Sequence, residues 1–341
     1  MTTQEAAPSI DLTAFYPKEV VTQTHVRDVA MPGGAGTLAL VTIDNGMDHT
    51  RPTTFGPAGV AGMRAAFEEL RKRADAGEIQ AVAVTGKPFI FAVGFDLSGA
   101  PNMSTREQGA AMARLGHDAY KVLMDLPVPT FAFVNGAVMG GGLELALACD
   151  YRSISAGVPA LAFPECFLGL APVWGGCWML PNLVGVRNAL TLIVENPLSF
   201  NKMIKGPAAF ELGLGDVMFE PADFLEESIA WAAKVVTGET KVDRPEIDRD
   251  EAAWDGAIAA ARKAVDARTG GQAPAPYRAL ELIRQARTVT RDQGFAAEDE
   301  VAADLLMLDE TRANLYAFDL VQKRARRPAG APDKKLARPI T

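Results

Sequence analysis

Up to about residue 236 the chain alternates short apolar runs with segments whose apolar residues recur at helical spacing. TLALVTID, from Thr37, has the β-branched, alternating pattern of a strand. AVAVTG, from Ala81, and PTFAFVNG, from Pro129, are apolar throughout, as strands buried on both faces are. YRSISAG and ALAFPE also read as strands. Val60, Met63, Phe67 and Leu70 mark one helix face, with Pro57 near its start and Gly77 near its end. TREQGAAMARLGHDAYKVLMDL predicts a long second helix, which Pro127 and Pro129 terminate. KPFIFAVGFDLSG reads as a loop, LELALACD as a short apolar helix, and the stretch from Gly175 to about 236 as mostly helical. This order of strands and helices predicts an α/β core with at least one parallel sheet.

The flanks differ. Residues 1–36 are polar, with a Gly/Pro break at MPGGAG, and read as an irregular lead-in to a unit spanning 37–236. GETKVDRPEIDRDE has the composition of a linker. Amphipathic helical patterns then fill a C-terminal region, 237–327, and the Pro-, Ala-, Lys- and Arg-rich residues 328–341 read as a disordered tail.

With 48% hydrophobic and 22% charged residues, the composition is that of a soluble globular protein. Apolar runs are interrupted before membrane-spanning length, so no membrane association is expected. MTTQEAAPSIDL has neither the basic head nor the apolar stretch of a signal peptide, which makes a cytoplasmic location the expectation. A net charge of −8 argues against nucleic acid as a partner. Cys149, Cys166 and Cys177 lack metal-ligand spacing and read as reduced, buried thiols. With only His25, His49 and His117 available, neither a His-based metal site nor a Ser-His-Asp triad is expected.

Two segments could carry chemistry. In NGAVMGGGLELALACD, Gly140, Gly141 and Gly142 precede a helix whose first-turn N–H groups are free to donate, and Glu144 lies three residues beyond Gly141, on the same side. This arrangement suits an oxyanion. It equally suits a helix whose dipole a first-turn Glu stabilises and whose glycines permit close packing. FIFAVGFDLSG, from Phe89, follows a buried strand, where ligands bind in α/β folds, and offers the Phe95 N–H as a second donor. The alternative is that Phe89, Phe91 and Phe95 are core aromatics.

VTGKPFIFAVGFDLS, VPTFAFVNGAVMGGGLELALACDYRSIS and FPECFLGLAPVWGGCWMLPNLVG, in that order, resemble the three signature blocks of the enoyl-CoA hydratase/isomerase (crotonase) family. The resemblance covers about residues 37–220. It implies an α/β spiral of ββα turns followed here by a C-terminal helical region, and assembly as homotrimers or hexamers. It implies an oxyanion hole from the backbone N–H groups of Phe95 and Gly141, and an acid/base pair of Glu144, for water activation, and Glu165, for the proton at Cα. The adenine of coenzyme A would run along the backbone of Ala92, Gly94 and Leu97. The substrate implied is an acyl-CoA, so CoA is part of the substrate and no separate cofactor is implied. The last helical stretch, from APAPYRALELIRQ, is similar to the segment that follows the hydratase unit in multifunctional β-oxidation α-subunits. No GxGxxG follows it, which implies a hydratase module that stands alone or has its dehydrogenase on a separate protein.

The resemblance favours hydration of a 2-enoyl-CoA, since an isomerase needs only the base at Glu165. A silent acyl-CoA-binding scaffold is the alternative of another class. Trp174 stands where the family carries a small residue, and Phe95 where it commonly carries Ala. His117 reads as packing or surface, His49 as a loop residue, and Cys166 as a buried thiol without a base. Lys87, Arg106, Arg324, Arg326 and Arg327 are the cations available to the CoA phosphates.

Overall fold

A computed structural model describes residues 10–326 and Gly330. Its larger sheet has six strands in the order β1-β2-β3-β5-β7-β9. β1 (Gln23–Ala30) pairs antiparallel with β2 (Thr37–Asp44). β3 (Ala81–Gly86), β5 (Thr130–Val134), β7 (Tyr151–Ser155) and β9 (Val217–Phe219) continue the sheet in parallel. Three short parallel strands, β4 (Ile90–Ala92), β6 (Ala137–Met139) and β8 (Leu161–Ala162), form a second sheet. Three successive turns, opening with β3-β4, β5-β6 and β7-β8, thus each give one strand to each sheet and then a helix.

The helices of the spiral are α1 (Pro57–Asp75), α2 (Arg106–Met124), α3 (Gly141–Leu147), α4 (Glu165–Leu168) and α5 (Gly176–Leu190). Three more complete it: α6 (Asn196–Leu198), α7 (Gly206–Glu211) and α8 (Phe224–Val236). After an irregular stretch come α9 (Glu251–Thr269), α10 (Pro274–Gln285), α11 (Arg291–Leu305) and α12 (Asp309–Arg326). This is the α/β spiral with a C-terminal helical region that the sequence predicts.

Strand alternation explains the layering. Leu38 and Leu40 of β2 pack with Phe131, Phe133 and Trp231 on one side of the large sheet. Ala39, Val41 and Ile43 face the other side and belong to a buried cluster that includes residues of α1, α2 and the C-terminal helices. Trp254, Ile283, Phe295 and Leu305 of those helices belong to the same buried cluster as Val82 and Val84 of β3. Helices α2 and α11 both begin with a capping box, Thr105 with Gln108 and Thr290 with Gln293. They pack closely: a Cβ on Gly109 would lie 3.1 Å from the Ala303 Cα. This contact brings a C-terminal helix to the centre of the spiral.

Three readings change. The polar lead-in contains β1, an edge strand whose mostly exposed side chains give no buried alternation to read. FIFAVG, read as a loop, contains β4, whose three buried residues find their pairing partner only in the distant β6. The joined helical run Gly176–Leu198 has the length and apolar character of a membrane span. However, Gly185 breaks it with φ 80° and ψ 162°, and over half of it is buried in the fold, so it serves as core. The predicted tail, apart from Gly330, lies outside the described residues.

Trp254 is buried against this shared core, and its indole N–H donates to the Asp248 carbonyl at 2.7 Å. Trp254→Ala is expected to cost about 3–5 kcal/mol. In urea titration the helical signal should fall in one transition at a lowered midpoint; an early, separate transition would mean that the C-terminal helices unfold independently.

Candidate active site

The second sheet delivers the two amides to one place. The Phe55 N–H donates to the Gly94 carbonyl at 2.8 Å, and the Asp96 N–H to the Phe55 carbonyl at 2.9 Å. This parallel bridge turns the intervening Phe95 N–H to the opposite side. Gly94, with φ 89°, lies against Gly141: a Cβ on Gly94 would sit 3.2 Å from the Gly141 N. Gly140 has φ 49° and ψ −127°, and a Cβ there would come within 2.3 Å of the Glu165 Oε1. Only glycine fits this conformation and spacing. The Gly141 amide opens α3, so it has no intrahelical acceptor. The Tyr120 hydroxyl holds the Gly141 carbonyl at 2.6 Å.

Both carboxyl groups reach the same cavity, which Gly94, Phe95, Leu97, Gly140 and Gly141 also line. Glu144 is 2% exposed, and its Oε1 accepts from the Trp174 N–H at 2.8 Å and the Gly176 N–H at 2.9 Å. Glu165, on α4, has an Oε2 that is shielded from solvent and without a hydrogen-bond partner among the described residues. Burial raises both groups. Glu144 rises to about 8, with the Glu298 charge adding to burial while its two amide donors and His117 oppose the rise. Glu165 is pushed well above the carboxylate range by burial and by the charge of Glu144. Both groups therefore hold a proton more tightly than an ordinary carboxyl, Glu165 the more strongly, and Glu144, with its two amide donors, is the one that ionises first as pH rises. Two amides facing a proton donor and a proton acceptor suit chemistry beside an acyl carbonyl.

Trp174 shapes the rest. Its ring lies over Gly141, where a Cβ would be 2.6 Å from its Cε3, and against Gly116 of α2, where a Cβ would be 2.3 Å from its Cδ2. Its indole N–H donates to the Met112 carbonyl at 3.2 Å, and its ring centroid is 5.8 Å from those of Phe95 and Tyr120. What is left is an apolar cavity of about 100 Å³, completed by Met112 and Ala113 of α2 and Ala302, Leu305 and Leu306 from the end of α11.

Of the other residues singled out from the sequence, Ala92 is buried in β4 with its carbonyl facing Gly142, away from the cavity. Lys87 is buried, and its ammonium group is held by Asn45 Oδ1 and the Met47 and Asp48 carbonyls, which removes it from the cations open to a phosphate. Arg106 pairs with Glu300 and Asp304. Arg324 is exposed on α12; the side chain of Arg326 and all of Arg327 lie outside the described residues. His49 sits edge-on to Phe89, which is 68% exposed rather than in the core. Burial pushes the Cys166 thiol up, away from a nucleophile's range.

His117 adds most to its reading. It packs in the core, 2% exposed, and carries partners the sequence did not show: its Nδ1 lies 2.8 Å from Asp299 and its Nε2 3.1 Å from Glu298. Burial opposes its charge, but hydrogen bonds to the two acids prevail and raise it to about 9. Glu298, 1% exposed, also accepts the Gly175 N–H at 2.6 Å and the Trp178 N–H at 3.0 Å. The sequence holds a signal for this cluster only in hindsight: Glu298 and Asp299 fall within the apolar-patterned helix α11, and nothing local marks His117 as their partner.

Spiral, amides and carboxyl pair define a crotonase-fold protein. Comparison with known proteins agrees. The family described as enoyl-CoA hydratase/isomerase matches residues 36–244, and the chain belongs to that family. It is 30% identical over 269 residues, 76% of its length, to the fatty acid oxidation complex subunit alpha of Shewanella loihica (strain ATCC BAA-1088 / PV-4). It spans 37% of that relative's length. Among solved structures, Pseudomonas aeruginosa DspI is 25% identical with a TM-score of 0.53, covering 80% of this chain and 93% of that one. Human mitochondrial Δ3-Δ2-enoyl-CoA isomerase has a TM-score of 0.61 over 89% of this chain and 99% of its own, at 19% identity, a likeness of fold.

The raised His117 makes a stability prediction. Its stabilising charge is fully present below the unfolded value of 6.5 and is lost as pH rises through about 9. Glu144, raised from 4.5 to about 8, works in the same direction. Thermal unfolding temperature should fall as pH is raised from 6.5 to 9, and fall less in His117→Gln; a flat wild-type profile would contradict a charged, buried imidazole.

Proposed function

We propose that this protein is an enoyl-CoA hydratase, adding water across the 2,3 double bond of an enoyl-CoA thioester. The observation that carries the reading is the asymmetry of the carboxyl pair: Glu144 has two amide donors, whereas the shielded oxygen of Glu165 has none. The Phe95 and Gly141 N–H groups polarise the thioester carbonyl, which makes Cβ electrophilic and stabilises the enolate-like transition state. Glu144 takes a proton from water as its oxygen bonds to Cβ. Glu165 gives its proton to Cα, and the proton taken up by Glu144 then passes to Glu165 through a water, which restores both groups. CoA arrives as part of the substrate, its adenine along the backbone of Ala92, Gly94 and Leu97, and the reaction uses no further cofactor.

The family match and the likeness to a fatty acid oxidation complex subunit support an acyl-CoA substrate. On the same grounds we propose a homotrimer or hexamer that passes its product to a dehydrogenase; separately, we propose a cytoplasmic location. An isomerase moving a double bond from C3 to C2 would use Glu165 alone, and the amide-held Glu144 favours hydration over it.

Glu144→Gln and Glu165→Gln should each slow hydration of crotonyl-CoA by roughly 10²–10⁴-fold, measured as loss of enoyl absorbance. An isomerase would keep its activity on a 3-enoyl-CoA in Glu144→Gln, and a non-catalytic scaffold would bind CoA in calorimetry with no turnover at all. Trp174, by filling the space between Gly116 and Gly141, favours a short acyl group. Trp174→Ala should shift the kcat/KM ratio of an eight-carbon over a four-carbon enoyl-CoA by at least about tenfold; an unmoved ratio would remove Trp174 from chain-length selection.

A further inference from the structure

The turn from Trp174 to Trp178 sits between two buried carboxylates that come from distant parts of the chain. Its N–H groups go alternately to one and the other: Trp174 and Gly176 donate to Glu144, Gly175 and Trp178 to Glu298. Gly175, with φ 103°, provides the backbone reversal that points neighbouring amides to opposite sides. A turn held from one side only would leave buried amides unpaired and free to swing. Glu298 is fixed in turn by the imidazole of His117, which lies flat on the Phe295 ring, centroids 4.3 Å apart, and is braced at its other nitrogen by Asp299.

We infer that Glu298 is a positioning residue for the reaction: with His117 it holds the 174–178 turn against Glu144 and keeps that carboxyl group seated. The inference rests on the hydratase reading of the site. Glu298 has no place on the cavity wall, and it acts through the turn and through its charge.

The electrostatic surroundings make the role testable. Glu144 faces Glu165 from α4, Glu298 from α11, His117 and Tyr120 from α2, and Cys177 from α5. His117 faces Glu298 and Asp299, and the Lys121 ammonium lies 5.5 Å from the Phe295 ring centroid. Glu144, Glu298 and the half-buried Asp299 thus share one imidazolium. Removing the positive charge should make Glu144 bind its proton more tightly, and removing the Glu298 charge while Asp299 keeps the imidazole protonated should do the reverse.

Two variants separate geometry from charge. Glu298→Gln keeps the shape but loses one acceptor; kcat should fall by about a hundredfold, as for a misplaced reacting group, with KM little changed. The acid limb of its kcat/KM profile should move to lower pH. Asp299→Asn touches the imidazole and not the turn; kcat at the plateau should persist while the acid limb moves to higher pH. Wild-type kcat in Glu298→Gln, or unmoved limbs in both variants, would overturn the inference.

An arm independent of turnover keeps it distinct from the hydratase reading. The chain has three histidines, so their ring signals can be followed individually by NMR. The His117 signal should titrate above the ordinary imidazole value of 6.5, and should move to lower pH in Glu144→Gln, because coupling between two sites is reciprocal. An inactive wild type with that shift would sink the hydratase reading and leave the coupling standing. A His117 titration indifferent to Glu144→Gln would sink the coupling, whatever the enzyme turns over.

Discussion

The molecule's chemistry depends on a backbone turn whose amides are shared between two buried acids. Taking a carboxylate out of water costs several kcal/mol unless donors and countercharge replace the lost hydration. The 174–178 turn supplies four N–H donors for this, two to each acid. His117 supplies the countercharge to Glu298. Glu144 and Glu298 are therefore not independent features that happen to be close. Each satisfies half of the same turn, and the turn opens α5, over half of which is buried in the core.

This constraint explains why the C-terminal helices are part of the site. Glu298 comes from α11, as do Ala302, Leu305 and Leu306 on the cavity wall. The close contact at Gly109 sets the separation between α2 and α11, and so the distance between His117 and its two acids. On the other flank of the turn, the Trp174 ring fits only because Gly116 and Gly141 carry no Cβ. Catalytic geometry, cavity size and helix packing thus meet at one loop, and a change to any of them is felt by the others.

The central strands of the large sheet were legible because burial on both faces writes itself as unbroken apolar runs, as in AVAVTG and TFAFV, whereas the short, half-buried β9 was lost in a stretch read as mostly helical. β1 was not legible, because an exposed edge strand carries no such pattern. β4 was hidden because three residues are too few to show a period and their pairing is remote. In the site, the glycines around Gly141 and the carboxyls of Glu144 and Glu165 were readable as motifs, and the structure brings them to one cavity. Lys87 could not be told from the other candidate cations in the sequence because a lysine's partners, here Asn45 and two loop carbonyls, are set by folding rather than by neighbours in sequence. The same holds for His117, whose acids lie on a helix in the region the family signature does not cover.

Product analysis in oxygen-labelled water tests the central claim most directly. With crotonyl-CoA as substrate, the account predicts a 3-hydroxyacyl-CoA carrying the labelled oxygen at C3, and its loss when either Glu144 or Glu165 becomes Gln. An unlabelled double-bond isomer, or labelled product formed equally well without those carboxyls, would contradict it.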